Sequence, residues 1–153
     1  MKISVCGKGG SGKSTIVALL AERLAAAGKE VLIIDSDESN YGLHRHLGME
    51  NPEEFTGFFG GKEEVLNNMM ISNFTHQFFE GQWRIGDIPE DYYTEKHGIK
   101  LMVSGKIHQA NEGCACAMGT VMKQFVSNLR LEENQIAILD MEAGIEHFGR
   151  GLD

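Results

Sequence analysis

The chain has 153 residues, 42% of them hydrophobic, and a formal net charge of −8 at pH 7. That length allows one hydrophobic core, and no apolar run approaches the ~20 residues that a membrane-spanning helix needs. The acidic balance disfavours nucleic acid and acidic membrane surfaces as partners, so any phosphate must be held by a local backbone cradle.

Residues 1–6, Met1-Lys2-Ile3-Ser4-Val5-Cys6, alternate into a short apolar strand. The chain enters this strand without the apolar stretch and small-residue cleavage site of a secretory signal, so a cytoplasmic location is expected. The run Gly7-Lys8-Gly9-Gly10-Ser11-Gly12-Lys13-Ser14-Thr15 comes next and fills the pattern G-x-x-x-x-G-K-[ST] with Gly7, Gly12, Lys13 and Ser14. In such a loop the backbone N–H groups wrap phosphates, the lysine reaches the outer phosphates and the hydroxyl holds magnesium. The expected ligand is a nucleoside triphosphate, with Gly9, Gly10, Ser11, Gly12, Lys13, Ser14 and Thr15 as binding positions. An Ala/Leu-rich helix over 14–27 ends at Gly28.

Residues 30–35 form a continuous apolar run, as in a parallel strand covered on both faces. A polar stretch over 36–61 holds a short helical segment at 41–47, and a longer helix is placed within 62–79. Residues 83–85 and 92–94 read as short strands of a small hairpin. Then come a strand over 99–103, a helix over 118–131 and a buried strand over 135–140 ending in Asp140. There is no repeat, linker or low-complexity tract. This alternation predicts one α/β domain over residues 1–153, a mainly parallel sheet flanked by helices, with the ligand at the carboxyl ends of its strands. Asp35, Asp37 and Asp140 fall at such ends.

Phosphoryl transfer needs magnesium, a positioned water and positive charge on the departing phosphoryl oxygens. Ser14 is the candidate magnesium ligand, Asp140 would hold that ion indirectly, and Lys13 with the loop N–H groups would neutralise charge. Asp37, in Asp35-Ser36-Asp37, would orient or activate the water, and Asp35 joins the cofactor-binding set. An aspartate after a strand is as readily a turn former or helix cap, so the phosphate loop is what gives these carboxylates their meaning.

Cys114 and Cys116 stand one residue apart. One Cys-x-Cys supplies two soft thiolates, short of the four that a closed zinc site takes, whereas a symmetric dimer brings four. Thiolates suit zinc, nickel, copper(I) or an iron–sulfur cluster, and the spacing alone also allows two idle cysteines. Cys6 reads as a small core residue. His44 and His46 point to different sides of a helix, and His108 reads as a solvated loop residue. The phenylalanines and methionines between Phe55 and Phe79 are assigned to core or to a dimer contact, and Trp83 to packing.

The run from Lys8 to Thr15 resembles the deviant phosphate loop of the P-loop NTPase class that includes nitrogenase iron protein, the MinD and ParA positioning and partition ATPases, and metallochaperone ATPases. In that class the early lysine, here Lys8, reaches across a dimer to the partner's nucleotide. Asp140-Met141-Glu142-Ala143-Gly144-Ile145-Glu146-His147-Phe148-Gly149-Arg150-Gly151 resembles the second switch of its nickel-inserting branch. With Lys8, residues 35–40 and Cys114-Ala115-Cys116, it makes essentially the whole chain resemble the CooC family, maturation ATPases of nickel carbon monoxide dehydrogenase.

That resemblance implies a magnesium-dependent ATPase with Lys8, Lys13, Asp37 and Asp140 as catalytic residues and Gly144 in the nucleotide-responding switch. It implies an ATP-favoured homodimer that binds Ni2+ or Zn2+ through Cys114 and Cys116 of each subunit and serves a carbon monoxide dehydrogenase-type enzyme. Neither nucleic acid nor membrane is an implied partner. Rival readings are an electron-transfer ATPase with a bridging Fe–S cluster, a metal-free positioning switch, and a non-catalytic fragment. The chain stops at Asp153, just past the second switch, whereas family members continue through further strands and helices. It therefore resembles the N-terminal portion of a member. Its phosphate-contacting residues are present, base recognition and turnover would depend on the family's C-terminal portion, and marginal stability or self-association is expected.

Overall fold

The computed structural model of the chain describes residues 1–37, 42–105 and 115–141; for residues 115–117 the helical backbone is described. Five strands form one sheet: β1 (Lys2–Val5), β2 (Glu30–Asp35), β3 (Thr94–Lys96), β4 (Ile99–Val103) and β5 (Gln135–Asp140), in the order β1-β5-β2-β4-β3. All pairings are parallel except β3 with β4. The expected mainly parallel α/β sheet is the one observed, and the strands over 30–35, 99–103 and 135–140 have the expected bounds.

The apolar runs of β2 and β5 explain their central position. Side chains in a strand alternate between faces, so a strand covered on both sides must be apolar throughout. Val31, Ile33, Leu101, Ile136 and Ile138 face one side and meet Val17, Ala18 and Ala21 of helix α1 (Lys13–Ala26) with Leu43 of the short helix α2 (Leu43–His46). Leu32, Ile34, Met102, Ala137 and Leu139 face the other. There they meet Val65 and Met69 of α3 (Lys62–Ile71) and Val121, Met122 and Phe125 of α4 (Ala115–Asn128). Phe55, in a 3-10 turn over Phe55–Phe59, anchors that second layer, with ring centroids of Phe58, Phe59, Phe79, Trp83, Tyr92 and Phe125 between 5.3 and 6.3 Å from its own.

Two expectations need correction, the hairpin and the bounds of the last helix, and the helix within 62–79 acquires its limits. The hairpin is not built from residues 83–85 and 92–94, where 3-10 turns at Ile85–Asp87 and Glu90–Tyr92 lie instead. It joins β3 to β4 through His97 and Gly98, both with positive φ (52° and 78°), the two-residue type I′ pattern whose twist matches that of antiparallel strands. The helix expected within 62–79 ends at Ile71, because Asn73 and Phe74 adopt left-handed φ and the Phe74 N–H returns to the Met69 carbonyl at 2.6 Å. Phe79 beyond it is buried from an irregular segment, so the apolar pattern there reports packing rather than helix. The helix expected over 118–131 runs three residues earlier at both ends.

β1 lies at one edge of the described sheet. Its Lys2 ammonium donates to the Val126 carbonyl, and partial burial, with Arg130 nearby, lowers the pKa of Lys2 from its usual 10.5.

Candidate nucleotide-binding site

The site is built at the carboxyl end of the sheet. Register places Val5, Asp140, Asp35 and Val103 side by side on β1, β5, β2 and β4. Beyond this row the chain is still held by the sheet, since Ser36 N–H donates to the Asp140 carbonyl at 3.0 Å and Met141 N–H to the Val5 carbonyl at 3.2 Å. The strands thus hold one edge on which carboxylates and the first loop converge.

That loop depends on its glycines. Gly10 and Gly12 have φ of 73° and 85°, the left-handed region that costs an L side chain roughly 1–2 kcal/mol. At Gly7 the constraint is space, because a Cβ would meet the Ser11 hydroxyl oxygen at 2.9 Å and the Lys13 side chain at 3.6 Å. The turn is closed by Ser11 N–H donating to the Lys8 carbonyl at 3.2 Å. Gly12 then caps α1 without a side-chain cap bond, so the first N–H groups of a 14-residue helix open onto the loop, where its dipole favours an anion.

Lys13 and Ser14, the first residues of α1, are 7% and 8% exposed. The Ser14 hydroxyl donates to Asp140 Oδ2 at 2.6 Å, the length of a charge-assisted O–H···O⁻ bond. Asp140 is fully buried, and Asp35 and Asp37 are each 4% exposed. Asp37 N–H donates to Asp35 Oδ1 at 3.2 Å, which folds the segment after β2 back over the strand end. One serine hydroxyl beside carboxylates is a hard, all-oxygen donor set that fits magnesium. That ion keeps several waters and takes phosphate oxygens rather than a full protein cage. The described residues contain no group of three or more His, Cys, Asp or Glu arranged to enclose a metal.

The structure therefore brings together Lys13, Ser14, Asp35, Asp37 and Asp140 around the loop of Gly9, Gly10, Ser11 and Gly12. Lys8, Gly9, Ser11 and Thr15 are exposed. Gly144, Cys114, His108 and His147 lie outside the described residues, and of Cys116 the structure describes only its backbone place in the first turn of α4. Cys6 is exposed, not a core residue, because β1 is an edge strand and Cys6 follows it on the way to the loop.

Two residues that were not among the sequence candidates also belong to this edge. Ser104 is buried, its N–H donates to the Asp35 carbonyl at 3.0 Å and its carbonyl accepts from Thr56 N–H at 3.2 Å. Gly105 lies where a Cβ would meet the Met118 sulfur at 2.7 Å and the Thr56 hydroxyl at 3.3 Å. The signal was a Ser-Gly pair directly after an apolar strand, which sequence alone does not separate from any other loop start.

A family model described as the CobQ/CobB/MinD/ParA nucleotide binding domain matches residues 3–149. Among curated proteins, an uncharacterized ATP-binding protein of Methanocaldococcus jannaschii is 47% identical over 155 residues, covering 100% of this chain and 62% of its own length. The carbon monoxide dehydrogenase accessory protein CooC of Rhodospirillum rubrum is 35% identical over 152 residues, covering 99% of this chain and 58% of its own length. The chain thus spans about three fifths of these relatives. Among solved structures, the kinase domain of Escherichia coli tyrosine kinase ETK superposes with a TM-score of 0.56 at 18% identity, over 93% of this chain and 46% of that one, a likeness of fold alone.

Proposed function

The chain belongs to the CobQ/CobB/MinD/ParA nucleotide-binding family, and from that premise we propose that it is a magnesium-dependent ATPase whose nucleotide-driven homodimer binds nickel or zinc for delivery to a nickel enzyme. The observation that supports the ATPase half is the Ser14–Asp140 hydrogen bond beside buried Lys13, since a hydroxyl and a carboxylate held together next to a phosphate loop suit a phosphate-bound cation. The metal half is supported by Cys114 and Cys116 together with the similarity to CooC.

In this reading the loop N–H groups and the Lys13 ammonium hold the outer phosphates of ATP and oppose the charge that builds there during transfer. Ser14 Oγ would be the protein ligand to magnesium, and Asp140 would hold that ion indirectly. Bound there, magnesium would withdraw charge from the phosphate oxygens. Asp37 orients the attacking water, and Asp35 fixes Asp37 through the bond to its N–H. Lys8, exposed at the loop, would be available to a second subunit's phosphates. Gly144 lies in the segment that would respond to the nucleotide.

Nickel or zinc is cargo in this scheme. Two thiolates per subunit require both copies to complete a four-sulfur site, which ties metal affinity to dimerisation and so to ATP. The Cys114→Ala, Cys116→Ala double variant tests this. Anaerobically purified wild type with ATP and magnesium is expected to hold about one nickel or zinc per dimer, and the double variant none, with ATP affinity nearly unchanged. Undiminished metal in the variant would defeat the metal assignment, and iron with sulfide in the wild type would replace delivery by electron transfer.

A further inference from the structure

A cavity of about 900 Å³ lies between the carboxyl end of β4 and the start of α3. It is distinct from the nucleotide site, since none of Lys13, Ser14, Asp35, Asp37 and Asp140 lines it. Its frame is nonetheless the same sheet edge. Glu54 pairs in parallel with Val103, Thr56 N–H donates to the Ser104 carbonyl at 3.2 Å, and Ser104 N–H donates to the Asp35 carbonyl at 3.0 Å. The carboxyl end of a parallel sheet is where such folds place their ligands, and this volume suits a small organic molecule or a few residues of peptide.

Its walls combine apolar surface with negative charge. Buried Pro52 and half-buried Leu66 supply apolar contact, and at Gly61 a Cβ would meet no atom within 4 Å, so open space adjoins the backbone there. Thr56 lines the cavity, is 2% exposed, and its hydroxyl makes no hydrogen bond among the described residues. A buried hydroxyl without a protein partner is a polar group left for a ligand. Glu53, Glu54 and Glu63 share these walls with one cation, Lys62. Lys62 Nζ lies 3.2 Å from Glu54 Oε2, whereas Glu53 and Glu63 are exposed and have no ion-pair partner among the described residues. The positive end of α3 is already met by Glu63 and Glu64 in its first turn, so an anion would gain little there.

We propose that this cavity binds an organic cation, an ammonium or guanidinium group carried on an apolar stem. The stem would lie against Pro52 and Leu66, the charged head would reach the Glu53 and Glu63 carboxylates, and one of its N–H groups would donate to the Thr56 hydroxyl. A guanidinium or ammonium presents several donors at once and so spans carboxylates that stand apart. A bare metal ion fits less well, because the three glutamates do not form a group that could enclose one. Two sources carry this chemistry, a free polyamine and the Lys or Arg side chain of a basic protein segment.

The test follows backbone amide resonances of the isotopically labelled, nucleotide-free chain at about 0.15 M salt, where diffuse attraction to an acidic surface is screened. The probes are the peptide acetyl-Ala-Arg-Ala-Lys-Ala-amide, a neutral counterpart with Gln at both basic positions, putrescine, and magnesium chloride. Expected are saturable shifts at Thr56, Gly57 and Gly61 with the basic peptide, at a Kd below about 1 mM, and none with the neutral one. A Glu53→Gln, Glu63→Gln variant, altered only at exposed side chains, should keep the wild-type spectrum elsewhere and bind at least about tenfold more weakly. Putrescine that reproduces the shifts assigns the site to free organic cations, and putrescine without effect assigns it to a basic protein segment. No saturable shift with either cation, an equal response to the neutral peptide, shifts centred on other residues, or unchanged affinity in the variant would overturn the proposal. So would the same shifts with magnesium, which would make the site one for a metal.

Discussion

Ser14 and Asp140 are 126 positions apart in sequence, yet their side chains meet at 2.6 Å in the interior of the site. If Ser14 ligates magnesium as proposed, a hydroxyl held this way needs less ordering when the ligand arrives. Ser14→Ala is therefore expected to bind ATP with nearly the same affinity in magnesium as in a chelator, whereas the wild type gains at least about tenfold from magnesium, as titration in the two buffers would show. Equal gains in both proteins would remove Ser14 from the magnesium site. Gly12→Ala places a side chain at φ 85° and should cost roughly 1–2 kcal/mol in a urea titration, with weaker ATP binding because the cap of α1 shifts. At this scale the loop was readable because its residue types and spacing are local. The grouping of Asp35 with Asp140 was readable because each ends an apolar strand. Cys6, Ser104 and Gly105 were not, because their surroundings depend on strand order: Cys6 is open because β1 is at an edge, and Gly105 is closed in because Met118 crosses it.

Among elements, the strands whose apolar runs exceed a simple alternation were located to the residue, since only burial on both faces requires such a run. Segments whose shape depends on contacts with other elements were not. Residues 74–79 carry the phenylalanines of a helix face but end in an irregular segment, because left-handed Asn73 and Phe74 stop α3 and send Phe79 into the aromatic cluster. The hairpin signal lay in His97-Gly98 rather than in the aromatic residues before it. Phe55 is the hub of that cluster and is fully buried between α3, α4 and the sheet. Phe55→Ala should lower unfolding free energy by about 3–5 kcal/mol, a large share of the roughly 5–15 kcal/mol of a typical domain. Chemical denaturation is the measurement, and a loss below about 1 kcal/mol would mean that the cluster does not carry the second layer.

For the whole molecule, the proposed function gives the loop and the thiolate pair one requirement in common, a second copy of the chain. Lys8 stands exposed at the loop, and in the proposed function Cys114 with Cys116 would supply half of a four-thiolate site, so the proposed reaction cycle couples ATP to the meeting of two copies. Sedimentation equilibrium with and without ATP and magnesium, on the wild type and Lys13→Ala, tests the central claim most directly. The account predicts that ATP with magnesium doubles the mass of the wild type and leaves Lys13→Ala unchanged. A wild-type chain that binds ATP yet keeps the same mass, or a variant that dimerises as readily, would contradict it.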